Sequence, residues 1–400
     1  MTMTSTPRWL GLAGMIVAVA VGSVIAHLCT SALPLLIGAL MNGYGFTATA
    51  AGLTGFFQIG ALAVSMIVIA PLTHRFRPLS VAYFGMALAA AGNLLMYWSP
   101  AYLPLICVLA TLVGTGYGLV LTAAVAAAAG SARPDLTYAA GNSGAVLLIV
   151  PIMSLLPLAT VRFGTRATFF AIPLLILIAV PFMLGLRSQR SVKLAEQVTV
   201  HSFATGLPLL VIWSLFSFGT GAMWAFTERI GASLSLSGPT IGLILSSSAF
   251  TGLIGTSLAA YCSDKVDRTI ALGVGVVGGG ASCLLFAVAT NVWIFAAAAV
   301  AYWIFTMFVY ILLLGTAAML DPTGRLGTLG TGCERLAFAI GAPFGGLMVD
   351  FGSYFWLSVS TAFACAVIAP AFLPGLKRML RTAATHRVNL GDNGQCDALR

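Results

Sequence analysis

Few side chains in this chain carry charge: 7% of its 400 residues are Asp, Glu, Lys or Arg. Soluble domains of ordinary composition carry about a quarter, so water is not the solvent this sequence is written for. Enzyme motifs are missing as well. There is no HExxH, no GxSxG and no phosphate-binding GxxxxGK, and there are four histidines in all, which argues against hydrolytic chemistry and a self-contained ATP-driven pump. Seven cysteines (Cys29, Cys107, Cys262, Cys283, Cys333, Cys365 and Cys396) are scattered without CxxC or Cys/His spacing. Neither a disulfide framework nor a metal site is expected, and no cofactor motif is present. Gly273, Gly275 and Gly278 spell GxGxxG, yet no strand precedes them, so the match carries no dinucleotide site. No basic stripe is interleaved with aromatics, which argues against a nucleic-acid partner despite a formal net charge of +9. Neither half repeats the filter motif that a channel needs.

What fills the chain instead is apolar sequence. Hydrophobic residues make up 60%, and mean hydropathy is +1.02. A crossing helix takes roughly 20 apolar residues at about 1.5 Å each. On that rule spans are expected near 12–38, 46–70, 79–97, 101–128, 136–160, 166–186, 206–229, 238–260, 269–290, 292–319, 325–349 and 353–374. The first run, which follows Arg8, is too long for a signal peptide and lacks a clean cleavage site, so it reads as a retained helix. Lys and Arg near span ends stay on the cytoplasmic side. With both termini inside, fifteen of the nineteen basic residues become cytoplasmic, among them Arg8, Arg75, Arg77, Arg133, Arg187, Lys265, Arg268, Arg325 and Lys377. Arg162, Arg166 and Arg229 fall outside, and Arg335 lies within a span. The positive balance therefore sets orientation and attracts anionic membrane lipid.

The chain also repeats itself. A shift of 190 residues lays Gly52 and Leu53 on Gly242 and Leu243, and Thr73, Arg75 and Phe76 on Ser263, Lys265 and Val266. A shift of 188 lays Pro134 on Pro322 and Phe163, Gly164 and Thr165 on Phe351, Gly352 and Ser353. The expected organisation is an all-α membrane protein of 12 transmembrane helices in two pseudo-symmetric six-helix halves. Residues 1–186 form the first half, 187–205 a polar cytoplasmic linker, 206–374 the second half and 375–400 a cytoplasmic tail. After the eighth span the chain reads Ala260, Tyr261, Cys262, Ser263, Asp264, Lys265, Val266, Asp267, Arg268. The equivalent loop after the second reads Ala70, Pro71, Leu72, Thr73, His74, Arg75, Phe76, Arg77, Pro78. The acid followed by basic residues, in a twelve-span layout, resembles the major facilitator superfamily, whose signature in these loops is Gly-x-x-x-Asp-Arg/Lys-x-Gly and further basic residues. The second copy keeps Asp264, Lys265 and Arg268 but neither glycine; in the first, His74 stands where the Asp is expected. The resemblance implies alternating access, with Asp264, Lys265, Arg268 and Arg75 as gating charges that pair in one conformation and part in the other. A histidine of reference pKa about 6.5 at position 74 adds a pH-sensitive gate; an ordinary loop histidine is the blander reading.

Ionisable groups at mid-bilayer depth cost several kcal/mol unless a cavity or partner receives them. Glu334 lies roughly 13 Å along its helix from Arg325 at 1.5 Å per residue, close to the membrane midplane, with Arg335 beside it. We expect Glu334 to be the proton-coupling carboxylate and Arg335 to anchor substrate, since a guanidinium bonds both oxygens of a carboxylate; the competing reading is a structural ion pair. Adjacent residues point about 100° apart on a helix, so the two need not pair. His27, Gln58, Tyr117, Asn142, Trp213, Tyr302, Thr306 and Tyr310 are the other candidate substrate contacts, the last three forming one i, i+4 stripe. Packing between spans is the alternative for each of them. Trp224, Glu228 and Arg229 close the seventh span and are expected at the external rim, and Gly341, Pro343, Gly345 and Gly346 at a bend above Glu334.

These features point to a monomeric, proton-coupled carrier of a small organic anion in the bacterial cell inner membrane, with protons, solute and lipid as its partners. The alternative is an efflux pump for amphipathic or drug-like compounds. Drug exporters of the resembling family carry an Arg four residues before a Gly-x-Gly in the fourth span; here Leu112 precedes Gly116 and Gly118. A third reading, a sensor on a transporter scaffold, lacks an output domain in the short tail.

Overall fold

The computed structural model describes residues 8–69, 76–129, 131, 134–186, 206–263, 265–321 and 325–382. Among them every regular element is helical. In chain order they are α1 (Arg8–Ser31), α2 (Leu33–Tyr44), α3 (Ala48–Ile69), α4 (Pro78–Trp98), α5 (Leu103–Ala129), α6 (Pro134–Phe163) and α7 (Ala167–Ala179), which a 3₁₀ segment extends through Leu186. The second half contains α8 (Leu207–Ser233), α9 (Gly238–Phe250), α10 (Gly252–Ser263), α11 (Arg268–Ala287), α12 (Val292–Leu320), α13 (Arg325–Phe351) and α14 (Tyr354–Phe363). Eleven helical stretches are long and apolar enough to cross a bilayer. The charge-bearing α13, 27 residues long, is not one of them, although at about 1.5 Å per residue its length suffices.

Boundaries shift where local chemistry dictates. The first expected span becomes α1 and α2, interrupted at Ala32 just before Pro34. Thr251 interrupts the eighth; its hydroxyl bonds Ser248 O at 2.6 Å and Val300 O at 3.2 Å. The last stretch passes through a π segment at Ala364–Ile368 and stays helical to Thr382, beyond the expected start of the tail at 375. The expected bend site in α13 does not end the helix. Pro343 sits within an unbroken helix, and the glycines around it let backbones touch. A Cβ on Gly341 would strike the Phe218 carbonyl, and one on Gly346 the Ala48 carbonyl. Gly52 on α3 meets the Ala342 carbonyl in the same way. Small residues at helix crossings are how membrane bundles gain contact without a hydrophobic driving force.

The halves meet unevenly. We call the end where residues 187–205 join the halves the linker end, and its opposite the far end. At the far end the Asp350 carboxylate on α13 accepts from Ala48 N at 3.0 Å and Thr49 N at 2.8 Å, capping α3 across the seam. Ser154 on α6 and Ser246 on α9 share a 2.9 Å hydrogen bond there, and Gly242 lies against Pro157. Most buried apolar residues of the first half join those of the far end of the second in one continuous core, while Met15, Val19 and Ala128 form a small cluster of their own. The linker end of the second half keeps its own cluster, built on Leu209, Phe216, Leu272, Phe308 and Leu312. Apolar burial thus crosses the seam at the far end.

Candidate functional site

Between the halves lies a cavity of about 390 Å³, within the size range of small-molecule sites. His27 enters from α1, Trp213 and Trp224 from α8, Tyr302, Trp303, Thr306 and Tyr310 from α12, and Glu334, Arg335 and Phe338 from α13. The α12 stripe follows from helical spacing, since residues four apart share a face.

Glu334 and Arg335 do pair, at 3.3 Å between Arg335 Nε and Glu334 Oε2. Their side chains curl toward one another despite the offset of neighbouring positions, because an unpaired charge in so enclosed a space costs more than the bent geometry. Arg335 retains the larger exposure, 28% against 12% for Glu334, so the guanidinium has donors free to meet a solute. One of them, Nη2, lies 3.4 Å from His27 Nε2, reaching from the second half to the first. Tyr310 packs edge-on against Trp213 at 5.9 Å.

Trp224, expected at the external rim, is instead 3% exposed and borders the cavity. The reason lies in the other half. Pro34 has no N–H, so the Thr30 carbonyl one turn earlier loses its helical donor, and the Trp224 indole supplies one at 2.8 Å. The indole stacks on Tyr302 at 5.4 Å and 15°, and the Tyr302 hydroxyl donates to Thr220 O at 3.0 Å. Glu228 and Arg229 lie outside this group. They form a two-pronged ion pair of 2.7 and 3.0 Å, and Arg229 also bonds Asn42 Oδ1 at 2.8 Å, so they tie α8 to α2 at the far end.

Two candidates are packing groups. Gln58 is buried on α3, where its backbone abuts Gly114 of α5, and Tyr117 is fully buried with Asn93 Nδ2 donating to its hydroxyl at 3.5 Å. Neither lines the cavity. The Asn142 side chain lies outside the described residues, as do His74, Arg75 and Asp264. Of the other gating candidates, Lys265 sits 4.0 Å over the Tyr261 ring and Arg268 bonds the Met319 sulfur on α12. Asp267, next to the expected gate, accepts from Thr269 N and Ile270 N. These bonds, that of Ile270 foremost, hold its carboxyl below the usual range, with help from Lys377. Sequence reasoning passed over Thr30, Ser217, Thr220, Ser246 and Trp303 in the wall. The Ser and Thr hydroxyls commonly bond their own helix, as Thr220 does to Phe216 O at 2.9 Å, which leaves no signal in an apolar run.

No family model and no curated protein matches the sequence. Solved structures do. A bacterial homolog of the human lysosomal transporter Spinster, crystallised in an inward-facing and unoccupied conformation, superposes with a TM-score of 0.73 at 13% identity, over 95% of this chain and 99% of that one. The nucleoside transporter NupG gives 0.72, also at 13% identity, over 91% and 98%. The chain therefore shares the fold of these two transporters, and at this identity the likeness speaks of fold alone.

Proposed function

We propose that this chain is a secondary active transporter that moves a small organic anion across the bacterial cytoplasmic membrane by alternating access, coupled to protons. In this reading α13 is the eleventh of twelve crossings and both termini are cytoplasmic. The chain works as a monomer in its lipid. The observation that carries the reading is the Glu334–Arg335 pair facing an aromatic-lined cavity. Arg335 holds the solute's carboxylate with two parallel bonds; the aromatic walls take a ring or apolar chain. Glu334 accepts the coupling proton, which offsets the negative charge the solute brings. The seam at the far end supports assigning the conformation as open toward the linker side, with Asp350, Ser154 and Ser246 sealing the other.

A second reading, export of amphipathic compounds, is favoured by one feature. A pocket of about 920 Å³ lined by Phe56, Val64, Val68, Phe84 and Leu336 lies on the apolar surface of α3, α4 and α13, where a bilayer-borne solute would rest. Purified protein in liposomes with an imposed pH gradient and a panel of labelled carboxylates and amphipathic cations tests both. Native protein should accumulate a carboxylate with the gradient, and Glu334→Gln should exchange it without accumulating it. Accumulation that persists in Glu334→Gln, or movement of amphipathic cations only, would overturn the first reading.

A further inference from the structure

We propose that His27 is a proton-sensitive hold on Arg335 that sets how strongly the cavity binds an anion, a role apart from the driving-force role of Glu334. The inference rests on Arg335 being the anion anchor. His27 Nδ1 lies 2.7 Å from Ser23 O on its own helix. A carbonyl oxygen accepts only, so Nδ1 carries the hydrogen. Nε2 faces Arg335 Nη2 at 3.4 Å, and a guanidinium donates only, so Nε2 must offer a lone pair. The two contacts together fix one neutral tautomer of the ring.

The consequences follow from occupancy and charge. A proton on Nε2 takes the lone pair that Arg335 uses and sets a second positive charge beside the guanidinium. The contact and the proton therefore exclude one another. When the ring is protonated, Arg335 is released toward the solute's carboxylate; when it is neutral, the ring competes for the same donor. Acid should strengthen anion binding and alkali weaken it. Because α1 and α13 belong to different halves, releasing the contact also frees a link across the cavity.

Glu334, which pairs with the same guanidinium, is the rival titration, so the affinity series is run on a Glu334→Gln background. Arg335 is the charge that acts on the ring. Glu334 stands behind it on α13, and Tyr310 on α12 acts on that pair. Cys29 on the same helix and Tyr117 on α5 interact with one another. The α6 residues that share the cavity wall, Ala145, Val146, Ile149 and Met153, are apolar, and α3 contains no ionisable residue.

Two measurements on the full-length protein in nanodiscs test this. The first needs no ligand: ring-nitrogen NMR of histidine-labelled protein, with the His27 signals assigned by their loss in His27→Gln. Near neutral pH Nδ1 should be protonated and Nε2 bare, and Arg335→Gln should shift the Nε2 signal. A proton on Nε2 under these conditions, or a signal indifferent to Arg335→Gln, overturns the hold. The second titrates benzenesulfonate, an aromatic anion that stays ionised throughout, by quenching of the cavity tryptophans. On the Glu334→Gln background affinity should rise about tenfold as pH falls from 7 to 3.5, the worth of one charge-assisted hydrogen bond. His27→Gln, whose amide oxygen still accepts from Arg335, should stay at the weak value at every pH, and His27→Leu at the tight one. A pH dependence that survives in both variants overturns the proposal. If benzenesulfonate binds at no pH, the affinity claim falls with the anion-anchor reading, while the NMR result still decides whether the ring holds Arg335.

Discussion

Laying the two halves over one another by the 188-residue shift puts Glu334 on Val146 and Arg335 on Leu147. Val146 lines the same cavity as Glu334, from the facing wall. Leu147 turns outward and is 63% exposed, whereas Arg335 bends inward to meet its neighbour. The offset pairs these positions, and their chemistry differs. A repeated scaffold fixes where side chains stand, while packing requirements are met equally well by a methyl, an isopropyl or a solvated charge facing water. Concentrating the acid, the base and most of the aromatics in the second half gives one oriented site, where a symmetric pair would present two weaker ones.

The sharpest way to break this asymmetry is to remove the cation. Arg335→Gln leaves Glu334 without its partner in an enclosed space, a change that costs about 3–5 kcal/mol when a buried pair is broken. Because this pair borders a cavity, part of that cost falls away as Glu334 takes a proton. Solute binding should drop at least about a hundredfold, the equivalent of roughly 2.7 kcal/mol, and thermal unfolding should come several degrees earlier. Retained carboxylate affinity by calorimetry would show that the anion is held elsewhere.

A smaller effect comes from the link between the halves. Under the 190-residue shift Trp224 falls on Pro34, and its indole serves the carbonyl that Pro34 leaves without a donor. Trp224→Phe should cost about 1–3 kcal/mol, since a buried acceptor loses its partner. Pro34→Ala returns a helical N–H to Thr30, so the same tryptophan change made on that background should cost less. A double-mutant cycle with no coupling between positions 34 and 224 would show that the two are independent.

These cases also mark what could be read from the chain. That Glu334 and Arg335 would face a cavity followed from the cost of leaving charge inside an apolar run. The helical class followed from the length of the apolar runs. Trp224 was misplaced because its partner, Thr30, lies 194 residues away, and nothing local distinguishes a tryptophan at a lipid surface from one seated on a distant carbonyl. Gln58 and Tyr117 satisfied the same rule as His27, polarity within an apolar run, yet are packed within the first half. Only the facing helix separates the two outcomes. Asp350 passed unnoticed because a carboxylate at a helix end reads as solvated until the start of α3 is brought to it.

The smallest test concerns matching helix starts. The same shift of 190 lays Asp267 on Arg77. Asp267 caps α11 with its side chain, whereas Arg77 precedes α4 with no side-chain cap and relies on Pro78. A carboxylate near a helix N-terminus meets unpaired N–H groups and the positive end of the dipole, and a cation meets the same end unfavourably. Asp267→Arg should therefore destabilise by about 1 kcal/mol, and Arg77→Asp should stabilise by a similar or smaller amount. The pH dependence has a definite sign. Asp267 titrates lower in the folded chain than its unfolded reference of about 3.9, so its contribution is complete above that value and lost as pH falls through the folded pKa. Thermal melts of Asp267→Asn against native protein should differ most near neutral pH and converge toward pH 3; a difference that grows on acidification would mean the carboxylate is not the group that holds this turn.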